Sequence, residues 1–126
     1  MRITLVVLAL ALAAAGCAVD TSAPARAAAD FHAALAAHRE DAACALLARK
    51  TADKLPDPGQ GCADALREVR LGAGGGLVSV SVWGDEAQVR LTGDTLFLHR
   101  FSDGWRVTAA GCQPMGDLPY ECDVED

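Results

Sequence analysis

A glycine-rich run near the middle of the chain separates two regions of different hydrophobic periodicity. Residues 72–76 read Gly-Ala-Gly-Gly-Gly. Before this run apolar residues recur at helical spacing, whereas after it they alternate with polar residues as in half-buried strands. Helices followed by strands along one chain predict an α+β fold. The length of 126 residues is enough for one small domain.

The region before the glycine run predicts three helices. The first spans about residues 24–38, and the second begins at Asp41, which caps it, and ends before Pro56. The third, at about residues 60–70, has the clearest amphipathic face, formed by Cys62, Ala65, Leu66 and Val69. The glycine run itself is interpreted as a flexible connector, because a phosphate-binding loop leads from a strand into a helix and this run does the reverse.

The region after the glycine run predicts a four-stranded antiparallel meander. Val78, Val80 and Val82 alternate with serines, and a turn at Gly84-Asp85 follows. Two-residue loops are predicted at Gly93-Asp94 and Asp103-Gly104. The first loop places Leu91 opposite Leu96 and Val89 opposite Leu98, and the second places Leu98 opposite Ala109 and Arg100 opposite Val107. A three-residue loop at 102–104 is the alternative, but it conflicts with the register of the first hairpin.

This register predicts one apolar face and one mixed face. The predicted inner face consists of Val78, Val80, Val82, Val89, Leu91, Leu96, Leu98, Trp105 and Val107, with Phe31, Leu35, Leu66 and Val69 from the helices. None of these side chains titrates, so the inner face has no acid and base for proton transfer. The outer face around Gln88, Arg90, Phe97 and His99 is the predicted partner surface, because an aromatic residue beside an arginine is common in interfaces.

The amino terminus has the pattern of a targeting segment. Arg2 precedes a predominantly apolar stretch from Ile3 to Ala15, which is too short to span a bilayer comfortably. The residues Leu12-Ala13-Ala14-Ala15-Gly16-Cys17 resemble the lipobox of bacterial lipoproteins, which implies lipidation of Cys17 and attachment to the outward face of the cell membrane. The alternative is ordinary secretion with cleavage after an alanine. We therefore expect a signal peptide at 1–16, a lipidated tether at 17–25 and a single domain at 26–126.

The five cysteines also indicate export. An odd number leaves one residue, Cys17, without a partner. Cys44 and Cys62 lie on apolar faces of consecutive predicted helices, and Cys112 and Cys122 flank a proline-containing tail that needs fastening. We therefore expect the disulfides Cys44–Cys62 and Cys112–Cys122. A zinc site is the alternative, but no Cys-x₂-Cys pair is present and an oxidising compartment favours disulfides.

Charge and residue spacing argue against several classes of partner. The net charge of −6 argues against electrostatic binding to nucleic acid. His32 and His38 point about 120° apart on a helix, so they are interpreted as surface or boundary residues. Asp94 is interpreted as a turn residue. No metal, other cofactor or catalytic residue is predicted.

Several short motifs together resemble a known domain family. They are Cys44 with Leu46-Leu47, Cys62, Asp103-Gly104-Trp105-Arg106-Val107, Gly111-Cys112-Gln113-Pro114 and Tyr120-Glu121-Cys122. With the lipobox, they resemble the small nuclear-transport-factor-two-like (cystatin-like) domains of actinobacterial lipoproteins. The resemblance implies a curved sheet and helices that form a cone. The expected function is a non-catalytic module that binds an exported protein or a small apolar ligand, and the alternative is a small isomerase or dehydratase.

Overall fold

The computed structural model describes residues 19–126 and has the predicted α+β class. The helices are α1 (Ser22–Ala36), α2 (Glu40–Leu46), α3 (Arg49–Lys54) and α4 (Cys62–Val69). The strands are β1 (Leu77–Trp83), β2 (Glu86–Leu91), β3 (Thr95–Phe101), β4 (Gly104–Met115) and β5 (Leu118–Val124). The strands form one open antiparallel sheet in the order β1-β2-β3-β4-β5.

The sheet has five strands, so the prediction of four was wrong. The segment expected to be a fastened loop forms a hairpin, in which β4 continues to Met115 and β5 returns after the two-residue loop Gly116-Asp117. Gly116 has a φ of +63°, which suits such a loop. Pro119 is tolerated because β5 lies at the edge of the sheet.

Two predicted hairpin registers were also wrong, each by two residues. The β2–β3 loop is Thr92-Gly93, so Val89 pairs with Leu96. The β3–β4 loop is Ser102-Asp103, so Leu98 pairs with Val107. A shift of two residues leaves side chains on their predicted faces, because side chains alternate with a period of two. Beyond a β-bulge in β4 this no longer holds, and Ala109, predicted opposite Leu98, lies opposite Phe97. The predicted turn at Gly84-Asp85 is confirmed by the pairing of Trp83 with Glu86.

The core lies between the helices and one face of the sheet. Its largest fully buried side chains include Phe31 in α1, Leu66 in α4, Leu96 and Leu98 in β3, Val89, Val107 and Val124. Val80, Val82, Trp105, Leu35 and Val69 pack against this core and are partly buried. Val78 was predicted to be internal but is 54% exposed, because it is the extra residue of a β-bulge near the start of β1.

The predicted second helix is interrupted at Leu47-Ala48. Both residues are extended, Leu47 forms an isolated bridge with Val107, and the Ala48 N–H donates to the Val107 carbonyl at 2.8 Å. This segment uses the edge of β4 that β5 does not reach. The resulting two helices are α2 and α3, and α2 begins at Glu40 without a side-chain cap from Asp41.

The helical layer is tied together by a disulfide and an ion pair. Cys44 in α2 bonds to Cys62 in α4. Arg67 lies 3.5 Å from the buried carboxylate of Glu40 and 2.9 Å from Asp64, and the negative charge of Glu40, with Asp64, raises the pKa of Arg67. Helix α1 starts at Ser22, two residues before the predicted start of the first helix, and buries Pro24. No helix among residues 19–126 is long and apolar enough to cross a membrane.

Candidate functional site

The sheet has one face packed against helices and one open face. The open face comprises Ser79, Ser81 and Trp83 of β1, Glu86, Gln88 and Arg90 of β2, and Thr95, Phe97, His99 and Phe101 of β3. These residues share a face because directly paired residues of antiparallel strands point the same way. Gln88, Arg90, Phe97 and His99, the predicted partner surface, all belong to it. This face is the first candidate binding site.

The cross-strand pairs on the open face differ from those predicted. Gln88 lies opposite Phe97 and Glu86 lies opposite His99, whereas the predicted pairs were Gln88 with His99 and Arg90 with Phe97. Arg90 lies opposite Thr95 and is exposed. The two-residue register shift accounts for the new pairs. The shift places His99 beside the carboxylate of Glu86 instead of the amide of Gln88.

Aromatic side chains are concentrated on or beside the open face. Trp83 is 52% exposed and Phe101 is 43% exposed. The ring of Phe97 meets the edge of Tyr120 from β5 at 5.3 Å between centroids, and the rings of His99 and Phe101 are 4.6 Å apart. Trp83, Phe101 and Tyr120 were absent from the predicted surface. Strand alternation identifies Trp83 and Phe101 from the sequence. Phe101 lies two residues after His99, and Trp83 lies two residues after Ser81, on the side of β1 opposite its valines.

The charges near the open face are mostly paired. His99 Nδ1 and Glu86 Oε1 form a close hydrogen-bonded pair whose side chains are partly exposed. Arg106 of β4 lies opposite His99 and is 3.1 Å from Asp103. Arg100 alternates with His99 and Phe101 and so points to the covered side, where its guanidinium lies 5.7 Å from the centre of the Trp105 ring. The open face is therefore aromatic, with His99 and Arg106 paired to carboxylates and Arg90 exposed.

A groove lies between α3 and the open face. It encloses about 970 Å³ and is lined by Ala48, Arg49, Lys50, Asp53, Lys54, Glu86, His99, Phe101, Thr108 and Asp126. The position of α3 beside the sheet is held by Thr51, which is fully buried and donates to the Thr108 carbonyl at 3.0 Å. The groove adds a basic helix to one side of the aromatic surface.

A buried histidine–aspartate pair lies on the opposite side of the sheet. His32 Nε2 is 2.6 Å from Asp94 Oδ2, and the two side chains are 8% and 5% exposed. The other carboxylate oxygen of Asp94 accepts from the Gly111 N–H at 2.9 Å. Both residues were interpreted differently from the sequence, His32 as a surface or boundary residue and Asp94 as a turn residue. The pair joins α1, the β2–β3 hairpin and β4.

The glycine run packs over this pair, so the interpretation as a flexible connector was wrong. The Gly74 backbone lies against the His32 ring, and a Cβ at Gly74 would be 2.5 Å from His32 Cγ. The Gly93 N–H donates to the Gly74 carbonyl, and the Thr92 N–H donates to the Gly76 carbonyl. A cavity of about 450 Å³ lies beside the run and is lined in part by His32, Leu35, Leu71 and Leu91.

The described cysteines are paired as predicted, in the disulfides Cys44–Cys62 and Cys112–Cys122. The second disulfide joins β4 to β5 and fastens the terminal hairpin. The predicted lipidation site, Cys17, and the predicted signal peptide lie outside the described residues. Within residues 19–126, no three His, Cys, Asp or Glu side chains are grouped so as to hold a metal ion.

The covered face and the open face therefore offer different chemistry. The covered face is apolar and contains one buried ionisable pair, whereas the open face presents rings and a groove to solvent.

Comparison of the chain with protein-family models, with curated proteins and with solved structures found no match.

Proposed function

We propose that this chain is an exported lipoprotein, held on the outward face of the membrane by lipid on Cys17, whose domain is a non-catalytic binding module. Its partner is another exported protein, which contacts the open face. The observation that carries this proposal is the uncovered aromatic surface formed by Trp83, Phe97 and Phe101 with Tyr120. Aromatic anchors beside polar residues are typical of protein interfaces.

Export is supported by the cysteines. Two disulfides in so small a domain suit an oxidising compartment, since thiols in the cytosol are kept reduced. All four described cysteines are used in these bonds, which leaves Cys17 as the remaining thiol of the chain. The short apolar stretch before Cys17 supports its processing as a lipobox.

The packing of the covered face favours a protein partner over a small apolar ligand. Leu96, Leu98 and Val107 are completely buried against Phe31 and its neighbours, so side chains fill the space under the sheet. We further propose that the sheet is curved and that it forms, with the helices, the nuclear-transport-factor-two-like cone, with its interior filled. In that fold the open face is the surface that remains for recognition.

A second candidate function is the small isomerase or dehydratase, and one observation favours it. His32 Nε2 is bound to Asp94, whereas Nδ1 makes no hydrogen bond within the described residues. Every fully buried side-chain nitrogen and oxygen there has a partner, so Nδ1 must reach the surface, and His32 lines the 450 Å³ cavity. A histidine oriented by a carboxylate has the arrangement of a general base.

Lipidation is tested by labelling cells with radioactive palmitate. The wild-type chain is expected to take up label and to fractionate with membranes, whereas Cys17→Ala is expected to do neither. Equal release of both proteins into the medium contradicts the lipoprotein assignment. A Cys112→Ala/Cys122→Ala variant provides a control in which cysteines are removed without touching the proposed lipid site.

Binding is tested by placing a photo-crosslinking amino acid at Gln88 in the full chain and irradiating intact membranes. A discrete protein adduct is expected, and it should be reduced by Trp83→Ala or Phe101→Ala. The matched control carries the crosslinker at Glu68, an exposed residue of α4 on the helical side. Equal adducts from Gln88 and Glu68 contradict the assignment of the open face as the partner-binding surface.

The two candidate functions are separated by His32→Gln. This change removes a base but leaves the open face intact, so the Gln88 adduct is expected to persist. If His32→Gln causes the same cellular defect as deletion of the whole chain, while the adduct and the folded state are retained, the enzyme is favoured.

A further inference from the structure

β1 is an edge strand with one side unpaired among the described residues. It lies at one end of the strand order and hydrogen bonds only to β2. Its sequence is Leu-Val-Ser-Val-Ser-Val-Trp, with neither charge nor proline. Leu77, Val78 and Trp83 are each more than half exposed. Long, uncharged, apolar edge strands are rare on monomers because they pair with other strands.

The opposite edge of the sheet shows how an edge is normally protected. β5 carries Pro119, which cannot donate a hydrogen bond, and the acidic residues Glu121 and Asp123. Charges and prolines at an edge hinder pairing with another chain. The same molecule therefore protects one edge and leaves the other free. This contrast indicates that the β1 edge is used.

The backbone of β1 has hydrogen-bonding groups directed outward. In a hairpin with a two-residue loop, the residues that flank the loop form a hydrogen-bonded pair, and here they are Trp83 and Glu86. Alternate residues then point their N–H and C=O groups to the other side. These residues are Val80 and Val82, so both present a donor and an acceptor at the free edge.

The sequence of β1 is nearly symmetrical about Val80. If a second copy of the strand runs antiparallel with Val80 opposite Val80, then Ser79 lies opposite Ser81. The β-bulge at Val78 interrupts the register before Ser79, so the regular symmetric pairing covers residues 79–81. Within this stretch valine pairs with valine and hydroxyl with hydroxyl. A charge close to a two-fold axis lies near its own copy and is repelled by it, so a strand without charges is suited to such pairing.

We propose that β1 pairs with β1 of a second copy of this chain, in antiparallel register about Val80, and forms a symmetric dimer with a continuous sheet. The assembly closes at two copies because the β5 edges at its outer ends are protected. Two open faces then lie side by side on one surface. This inference is independent of the lipid on Cys17 and of the partner of the open face.

The dimer is tested on the full chain extracted from membranes in mild detergent, by light scattering after size-exclusion chromatography. The wild type is expected to be a dimer at about 100 µM. Ser81→Lys, at an exposed residue of β1, brings two like charges close together across the two-fold axis and is expected to raise the dissociation constant by roughly tenfold or more. The matched control, Leu118→Lys, adds the same charge at the β5 edge and is expected to remain dimeric.

A cysteine scan tests the register without disturbing the fold by charge. Val80→Cys is expected to cross-link to its own copy in membranes with a short thiol reagent, whereas Leu118→Cys is not. Tryptophan fluorescence during urea unfolding shows whether each variant is folded. A monomeric wild type, larger open-ended assemblies, or equal cross-linking at both positions overturns the proposal.

Discussion

The two faces of β3 differ in what surrounds them, although their residues alternate along one strand. Leu96 and Leu98 are completely buried beneath the helices, whereas Phe97 and His99 remain partly exposed on the open face. The buried pair holds the helical layer on the sheet, and the exposed pair is supported mainly by neighbours such as Tyr120 and Glu86. The contacts that stabilise the fold and the surface proposed for recognition therefore lie on opposite faces of the same strand.

The sharpest test of this difference is a matched pair of truncations. Leu98→Ala is expected to lower the free energy of unfolding by about 2–5 kcal/mol, because it leaves a cavity in a closed core. Phe97→Ala removes a larger side chain but is expected to lower it by only about 1 kcal/mol, since solvent already reaches that ring. Urea unfolding followed by tryptophan fluorescence measures both. A Phe97→Ala loss as large as that of Leu98→Ala contradicts the separation of roles.

The helical cover is tested by removing its disulfide. The double substitution Cys44→Ala/Cys62→Ala removes a bond between residues 18 apart in sequence. In the chain-entropy description it is expected to lower the free energy of unfolding by about 3 kcal/mol. The same measurement on Cys112→Ala/Cys122→Ala, with a separation of 10 residues, is expected to give a slightly smaller loss. Unchanged stability after loss of Cys44–Cys62 would show that packing alone holds α2 to α4.

The glycine run is tested by adding one methyl group at two positions. Gly74→Ala is expected to lower the free energy of unfolding by about 1–3 kcal/mol, because its Cβ would collide with the His32 ring. Gly72→Ala is the control, since a Cβ there meets no atom within 4 Å. It is expected to be neutral or slightly stabilising, by less than about 1 kcal/mol. Equal effects at both positions would indicate that the glycine run is a simple connector without specific packing against His32.

The smallest expected effects compare the two histidine–carboxylate pairs. Asp94→Asn weakens a buried pair and is expected to cost about 1–3 kcal/mol. Glu86→Gln weakens a partly exposed pair and is expected to cost less than about 1 kcal/mol, because water screens it. Adding salt should reduce the Glu86 effect and leave the Asp94 effect nearly unchanged. The reverse salt dependence would show that the burial of the pairs does not control their strength.

The faces of Leu98 and Phe97 were predicted correctly although the loops were misplaced, for a simple geometrical reason. The loops expected at Gly93-Asp94 and Asp103-Gly104 each lie one residue earlier, which changes the pairing by two residues. A change of two keeps Leu98 inside and Phe97 outside. The partner surface was therefore predicted on one face, although its individual pairs were not.

Other features had no local signal. Asp94 is at the end of a turn in sequence, but its carboxylate is held by His32 and the Gly111 amide, which are far away along the chain. The break at Leu47-Ala48 follows from a free edge of β4 that exists only after the sheet has formed. The hairpin at Gly116-Asp117 is different, because Gly-Asp is a local turn signal, yet this tail was predicted to be a disulfide-fastened loop.

The sequence by itself determined the α+β order, the alternating faces and the cysteine pairs, because periodicity and spacing act over short stretches of chain. Only the tertiary structure decided the fifth strand, the buried His32–Asp94 pair and the packing of the glycine run against it. These features depend on contacts between residues distant in sequence, where a carboxylate, an amide and a ring meet only after folding. The same reason separates the two edges of the sheet, since a strand becomes an edge only by its place among the others.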